Sequence, residues 1–267
     1  MVVFPNAKIN IGLNVVSKRP DGYHNLETIF YPVSLCDALE MVESDETKLT
    51  TSGIEIDGPP DKNLILKAYY LLQQQFNLPA VHFHLHKVIP FGAGLGGGSS
   101  DAAFTLKMLN DYFELKLSAS QLEGFASQIG ADCPFFIQNK PVFATGIGNE
   151  FHEIELDLSE YHIVILKPEF SVGTAEAYKN VIPRKPKFNL PEITRTAICD
   201  WKYLVVNDFA ASVIPKYPQI GSLIQLLYDS GASFASMSGS GSAVYGIFRN
   251  SPVIDPDKIP SGIFIYR

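Results

Sequence analysis

Residues 4–16 alternate. Ile9, Ile11, Leu13 and Val15 share one face of an extended chain, and Lys8, Asn10, Gly12 and Asn14 share the other. This period of two predicts a half-buried strand with one polar face. Lys8 and Asn10 stand roughly 7 Å apart along that face. Strand-like stretches follow at 26–35, 40–42 and 49–56, and Gly58-Pro59-Pro60-Asp61 then breaks the chain. Leu64, Leu66, Ala68, Leu71, Leu72 and Phe76 recur with helical spacing, which predicts a helix over 63–76. The stretch 82–88 returns to alternation, with His82, His84 and His86 on one face.

Helical sequence resumes at 102–112. Ser118 to Glu123 reads as a capping box that opens another helix, ending near Gly130. Asp132 then precedes a short apolar run, 133–137, read as a strand, and 142–148 adds a further strand and a glycine turn. The nearly continuous apolar run at 161–168 predicts a central strand. Five acidic residues between Glu150 and Glu160 precede it and suggest a domain boundary near residue 158. Beyond it, 171–178 opens a helix carrying Tyr178, and 182–191, with three Pro and three basic residues, forms a loop. Helices follow at 200–213 and 219–230. Residues 232–248 read as strand, Gly/Ser turn, strand, and 263–266 closes the chain as a strand. The expectation is an α/β (α+β) protein of two domains, 1–157 and 158–267.

Composition narrows the function. The chain has 267 residues, 46% hydrophobic and 18% charged, enough to bury a sizeable core. Its net charge of −7, with no basic run, disfavours nucleic-acid or anionic-membrane partners. Three scattered cysteines without a CxxC indicate a reducing cytoplasm and no zinc ribbon. No signal-like start and no apolar run of about 18 residues is present. The three strand histidines could ligate a metal, but no acidic or Cys partner lies nearby in sequence, and a polar strand face is expected.

The densest chemical signal is Pro90-Phe91-Gly92-Ala93-Gly94-Leu95-Gly96-Gly97-Gly98-Ser99-Ser100, between the histidine strand and a helix. Glycine lets the backbone approach a ligand. The first N–H groups of a helix lack intrahelical partners, and the helix dipole adds positive charge there. This arrangement suits phosphate. Gly92-x-Gly94-x-x-Gly97 formally matches a dinucleotide fingerprint, but that fingerprint follows a continuously apolar strand, and 82–86 is alternating and polar. A Walker loop is excluded because no Lys follows the last glycine. Elsewhere, Pro20-Asp21-Gly22 forms a turn that carries Tyr23 and His24, either a ring-recognition loop or a hairpin tip. Asp132 reads as a turn former or a base, and Gly239-Ser240-Gly241 as a flexible turn or a close approach to ligand. A phosphate cradle with one Asp and one Lys suggests phosphoryl transfer, in which Asp takes a proton and Lys stabilises the incipient alkoxide.

The string Pro90-x-x-x-Gly94-Leu95-Gly96-x-x-Ser99-Ser100 resembles the phosphate loop of the GHMP kinases. Ala7-Lys8-Ile9-Asn10, Arg19 to His24, Asn63-Leu64, Gly130 to Pro134 and Ser238 to Gly241 extend the resemblance over nearly the whole chain. Arg19-Pro20-Asp21-Gly22-Tyr23-His24 points within the family to the branch that phosphorylates a cytidyl diphosphate-linked alcohol in non-mevalonate isoprenoid synthesis. Another GHMP small-molecule kinase is the near alternative. The resemblance implies a two-domain architecture with the active site in the interdomain cleft, the second domain ferredoxin-like. It implies ATP as co-substrate and Mg²⁺, and a bacterial cytoplasmic enzyme, monomer or weak dimer.

It also implies roles. Asp132 would be the base at the 2-hydroxyl, with Lys8 beside it and Asn10 near the same hydroxyl. Residues 90–100 would wrap the ATP phosphates, with Ser99 and Ser100 near Mg²⁺. Asn63 and Lys87 would lie towards the adenosine. Tyr23 and Tyr178 would sandwich the cytosine, His24 would read its edge, and Gly239, Ser240 and Gly241 would close over the diphosphate. Asp101, where the family usually has Asn, is expected to assist Mg²⁺ or to repel phosphate. Asn149 is a second departure.

Overall fold

The computed structural model describes every residue except Asp57, Pro60 and Asp61. The break expected at Gly58-Pro59-Pro60-Asp61 thus falls partly outside the described residues. The strands are β1 (Val2–Val3), β2 (Asn6–Lys18), β3 (His24–Cys36), β4 (Ala38–Glu43), β5 (Lys48–Gly53) and β6 (Val81–Lys87). They continue with β7 (Val142–Thr145), β8 (Glu150–Glu153), β9 (His162–Lys167), β10 (Phe234–Met237), β11 (Val244–Phe248) and β12 (Phe264–Tyr266). The α-helices are α1 (Leu64–Phe76), α2 (Gly97–Tyr112), α3 (Ala119–Ile129) and α4 (Phe135–Gln138). Then come α5 (Thr174–Tyr178), α6 (Trp201–Leu204), α7 (Ala210–Val213) and α8 (Pro218–Asp229). None of the described helices is long and apolar enough to cross a membrane.

The chain divides into two compact units, each discontinuous in sequence. The first is Met1–Lys8, Pro32–Pro90 and Gly96–Lys140, and the second is Ile9–Tyr31, Phe91–Leu95 and Pro141–Arg267. In the first unit a sheet runs β1-β4-β6-β5. Leu39 pairs with Leu85 and Met41 with Phe83 across β4 and β6, and all four are fully buried. Each such side chain contributes about 1.5–3 kcal/mol. Ile65, Ala68, Tyr69 and Leu72 give α1 its buried face. Ser118 caps α3 by the reciprocal capping box with Gln121 that the sequence shows.

On the other face of β6 the three histidines join a ladder. Thr50 Oγ1 lies 2.9 Å from both His82 Nε2 and His84 Nδ1, and Ser52 Oγ lies 2.9 Å from His84 Nε2 and 3.0 Å from His86 Nδ1. The polar-face expectation for 82–86 describes this surface.

In the second unit a sheet runs β10-β11-β9-β12, with β9 antiparallel to both neighbours. This is the central strand expected at 161–168. Leu13, Val15, Val164, Leu166, Phe209, Leu223, Leu227 and Phe248 form its core. A further sheet runs β2-β3-β7-β8, and Asn149 Oδ1 accepts from Ile147 N at 3.2 Å in the β7–β8 turn.

Three expectations about local structure need correction. β2, expected to be half-buried, is buried on both faces from Asn6 to Val15, so its polar side chains are enclosed. The apolar run after Asp132 is the single-turn helix α4, not a strand. The helix expected at 200–213 breaks between α6 and α7. There Asn207 Nδ2 donates to Met237 O at 2.9 Å and to Gly239 O at 2.8 Å. These long-range bonds outweigh the helical periodicity.

Candidate active site

In the first unit, β2 delivers Lys8 and the turn after α3 delivers Asp132. Lys8 Nζ lies 3.5 Å from Asp132 Oδ2, with the Lys8 side chain 4% exposed and that of Asp132 37% exposed. Burial lowers the Lys8 pKa, and the Asp132 charge opposes that shift. Asp132 therefore opposes the effect of burial on the ammonium, and its own side chain stays partly exposed.

The N-terminus of α2 lies beside this pair. A Cβ added at Gly96 would come within 3.2 Å of Lys8 Cε and 2.9 Å of the Phe136 ring. Gly96 has φ +71°, in the left-handed region that glycine adopts without strain. The helix then starts at Gly97, with its first N–H groups unclaimed by the helix itself. Ser99 is hydrogen-bonded to the Cys133 thiol, which burial pushes up to about 11. Ser100 is fully buried, and its Oγ has no hydrogen-bond partner among the described residues. An orphaned hydroxyl at a helix N-terminus is a donor set that fits a phosphate-borne cation. No group of three or more His, Cys, Asp or Glu among the described residues could hold a metal on its own.

Two expected ligand contacts turn inward instead. Lys87 has a fully buried side chain whose Nζ sits 2.5 Å from Asp37 Oδ2 and 2.7 Å from Asp101 Oδ2. Its ammonium lies beneath the start of α2, where a Cβ at Gly97 would come within 3.1 Å of it. Asp101 likewise faces Lys87 through Oδ2 and is buried. Asn63 caps α1, its Oδ1 accepting from Ile65 N at 2.9 Å.

In the second unit, the loop segment 91–95 packs on the Gly/Ser turn. Ser238 Oγ donates to Gly94 O at 2.8 Å and accepts from Asn10 N at 3.1 Å. Ala243 N donates to Ala93 O at 3.2 Å. A Cβ at Gly94 would stand 2.1 Å from Ser238 O, and one at Gly239 would stand 3.2 Å from Asn10 Oδ1. Asn10 Nδ2 donates to Thr28 Oγ1 at 2.9 Å, and Thr28 in turn donates to Gly12 O at 2.5 Å. This fixes the amide orientation. Asn10, Gly94 and Gly239 are thus gathered at one place. Ser240 Oγ lies 3.5 Å from Thr174 Oγ1, while Gly241 N closes the turn onto Ser238 O at 2.9 Å.

The ring site differs from expectation. His24 stacks on Tyr178, centroids 4.8 Å apart and planes at 19°. Tyr23 is 62% exposed. A face of Tyr178 is therefore covered by His24, so a cytosine sandwich between Tyr23 and Tyr178 is not preformed. Sequence reasoning also missed Asp37, Thr28, Asn207 and Ser238 as individual contributors. Only Ser238 carried a local signal, within its Ser-Gly repeat.

Comparison with known proteins identifies the family. The model of the GHMP kinases N terminal domain matches residues 63–140, and that of the GHMP kinases C terminal domain matches 202–256. A 4-diphosphocytidyl-2-C-methyl-D-erythritol kinase of Parabacteroides distasonis is 52% identical over 267 residues, covering 100% of this chain and 98% of that protein. One of Bacteroides thetaiotaomicron is 50% identical over 271 residues, covering 100% and 99%. Among solved structures, a 4-(cytidine 5'-diphospho)-2C-methyl-D-erythritol kinase superposes with TM-score 0.78 at 30% identity, covering 97% of this chain and 92% of that one. The Methanococcus jannaschii mevalonate kinase, at 16% identity and TM-score 0.62 over 93% and 90%, shares the fold. The chain belongs to the GHMP kinases and, within them, to the 4-diphosphocytidyl-2-C-methyl-D-erythritol kinase family.

Proposed function

We propose that the chain transfers the γ-phosphoryl group of ATP to the 2-hydroxyl of 4-diphosphocytidyl-2-C-methyl-D-erythritol, giving the 2-phosphate and ADP. The observation that carries this reading is the Lys8–Asp132 pair, 3.5 Å apart, beside the N-terminus of α2. In the transfer, the substrate O–H bond breaks and its proton goes to the Asp132 carboxylate. The new O–P bond forms as the bond from the γ-phosphorus to the β–γ bridging oxygen breaks, and ADP leaves. The Lys8 ammonium stabilises charge on the attacking oxygen. The N–H groups from Gly97 to Ser99 hold the phosphates in place. Because the γ-phosphoryl transition state asks for positioning and charge stabilisation, these residues suffice as the protein's share. Mg²⁺ bound to ATP would shield phosphate charge, and Ser100, with Ser99, is the group to touch it. Asn10 and the 239–241 turn fit the polyol and diphosphate, and Asn63 retains its amide nitrogen for the adenosine.

The ring site is assigned to the cytosine. His24 would either read the base edge from its stacked position or swing off Tyr178 to admit the base. Stacking favours any base, so discrimination falls to hydrogen bonds. His24→Ala is expected to raise KM for the cytidyl substrate by about tenfold or more, with KM for ATP within twofold. Steady-state kinetics with each substrate varied in turn measures this. A variant in which ATP alone suffers would move this ring to the other nucleotide. The division into family domains is proposed at 158, between the matches at 63–140 and 202–256.

A further inference from the structure

The basic, proline-rich loop at 182–191 folds against the end of β2 and has no role in the proposed transfer. Arg184 N donates to Val15 O at 2.9 Å. Asp208, 9% exposed, accepts from Val15 N through Oδ2 at 2.8 Å and from Arg184 Nη2 through Oδ1 at 3.1 Å. Leu13 N in turn donates to Val206 O at 2.9 Å. Between this loop, β2 and α6 lies a cavity of about 330 Å³, lined wholly by the second unit. Gly12 stands between Asn14, which lines the cavity, and Asn10 on the same strand face. An added Cβ at Gly12 would meet Leu190 Cδ1 at 2.8 Å and Val205 Cγ1 at 3.0 Å. Leu190 and Val205 therefore cover the strand face between the two asparagines.

Three features of the lining point to a ligand. The first is Asn14, 6% exposed, whose side-chain amide makes no hydrogen bond among the described residues. A polar group so enclosed is costly unless something in the cavity bonds to it. The second is a pair of rings, Phe188 and Tyr203, which line the cavity without packing on each other. The third is charge. Arg184 and Lys187 line the cavity against one carboxylate, Asp208, and Lys187 makes no ion pair among the described residues. The lining thus carries surplus positive charge in a chain whose net charge is −7.

We propose that this cavity binds a mononucleotide, a planar nitrogen heterocycle carrying a phosphate. The edge of the heterocycle bonds to the Asn14 amide, which can both donate and accept. Its face lies on Phe188 or Tyr203, and the phosphate meets Lys187 and Arg184. The volume lies within the range of small-molecule sites. Each feature of the ligand answers one feature of the lining, and the proposal does not rest on the phosphoryl transfer.

The test is isothermal titration calorimetry with CMP, AMP, cytidine and ribose 5-phosphate on the wild type, Asn14→Leu, Lys187→Glu and His24→Ala. Asn14→Leu is expected to unfold at or above the wild-type temperature, because an apolar side chain of similar size replaces an unpaired buried amide. At least one of the two mononucleotides is expected to bind the wild type with a Kd below about 1 mM. Asn14→Leu and Lys187→Glu are each expected to weaken that binding by about tenfold. Cytidine lacks the phosphate and ribose 5-phosphate lacks the heterocycle, so each is expected to bind the wild type at least about tenfold more weakly. His24→Ala is expected to leave the binding unchanged, which separates it from the ring site at Tyr178. No binding of either mononucleotide up to about 1 mM would overturn the proposal. So would binding that both Asn14→Leu and Lys187→Glu retain in full, since it would belong to another site. A lowered unfolding temperature for Asn14→Leu would overturn the reading of its amide as unpartnered. Lys187→Glu, on the exposed loop, then decides alone whether the cavity takes the phosphate.

Discussion

Asp132→Ala is expected to lower kcat by roughly 10²–10⁴ while leaving the fold and ATP binding in place. The size of the effect follows from what the side chain does and from how little it packs. Its carboxylate is more than a third exposed, so its removal opens no cavity. Under the proposed mechanism it supplies the proton acceptor, and its charge opposes the lowering of the Lys8 pKa by burial. Without it that opposition is lost, and the residue proposed to stabilise the attacking oxygen shifts towards its neutral form. Two functions are lost in one substitution. Single-turnover ADP release, with ATP affinity measured in parallel, separates chemistry from binding. Near-normal turnover would remove Asp132 from the base role.

Gly94→Ala is expected to weaken ATP binding by at least about a hundredfold, through backbone geometry rather than lost chemistry. Gly94 has φ +74°, where an L side chain costs roughly 1–2 kcal/mol. Its added Cβ would also meet the Ser238 carbonyl at 2.1 Å, a backbone atom that cannot swing aside. The 91–95 segment must move away from the 238–242 turn. Gly97, by contrast, faces Ile89 and Lys87, so a larger residue there disturbs the start of α2 from beneath instead of blocking phosphate. Gly124→Ala in α3 serves as the control. Nothing lies within 4 Å of its added Cβ and its φ is ordinary, so it is expected to gain up to about 1 kcal/mol in thermal or denaturant unfolding. Equilibrium ATP binding compares the two. A folded Gly94→Ala protein with unchanged affinity would show that this backbone does not shape the nucleotide site.

Much of this was legible because its causes are local. The glycine string at 92–98, the capping box at Ser118 and Gln121, the alternation of β2 and the apolar run of β9 all announce themselves within a dozen residues. What sequence could not show was what lies across from them. The alternation of β2 predicts a half-buried strand with one polar face, and only tertiary packing encloses Lys8 and Asn10 on that face. The resemblance sets Lys87 towards the adenosine, but Asp37, fifty residues earlier in the chain, holds its ammonium. The helix at 200–213 fails because Asn207 bonds to backbone some thirty residues downstream. The run 133–137 is too short for periodicity to separate a strand from one helical turn.

The most direct test of the central claim is ADP release with ATP, Mg²⁺ and a panel of alcohols. The panel comprises 4-diphosphocytidyl-2-C-methyl-D-erythritol, its uridyl analogue, mevalonate, homoserine and galactose. Turnover with the cytidyl compound alone is the predicted result, with the new phosphate on the 2-hydroxyl. Turnover with another alcohol in its place would contradict the assignment of Tyr23, His24 and Tyr178 to a cytosine. No turnover with any of the five, by a protein that binds Mg-ATP, would contradict the proposed reaction.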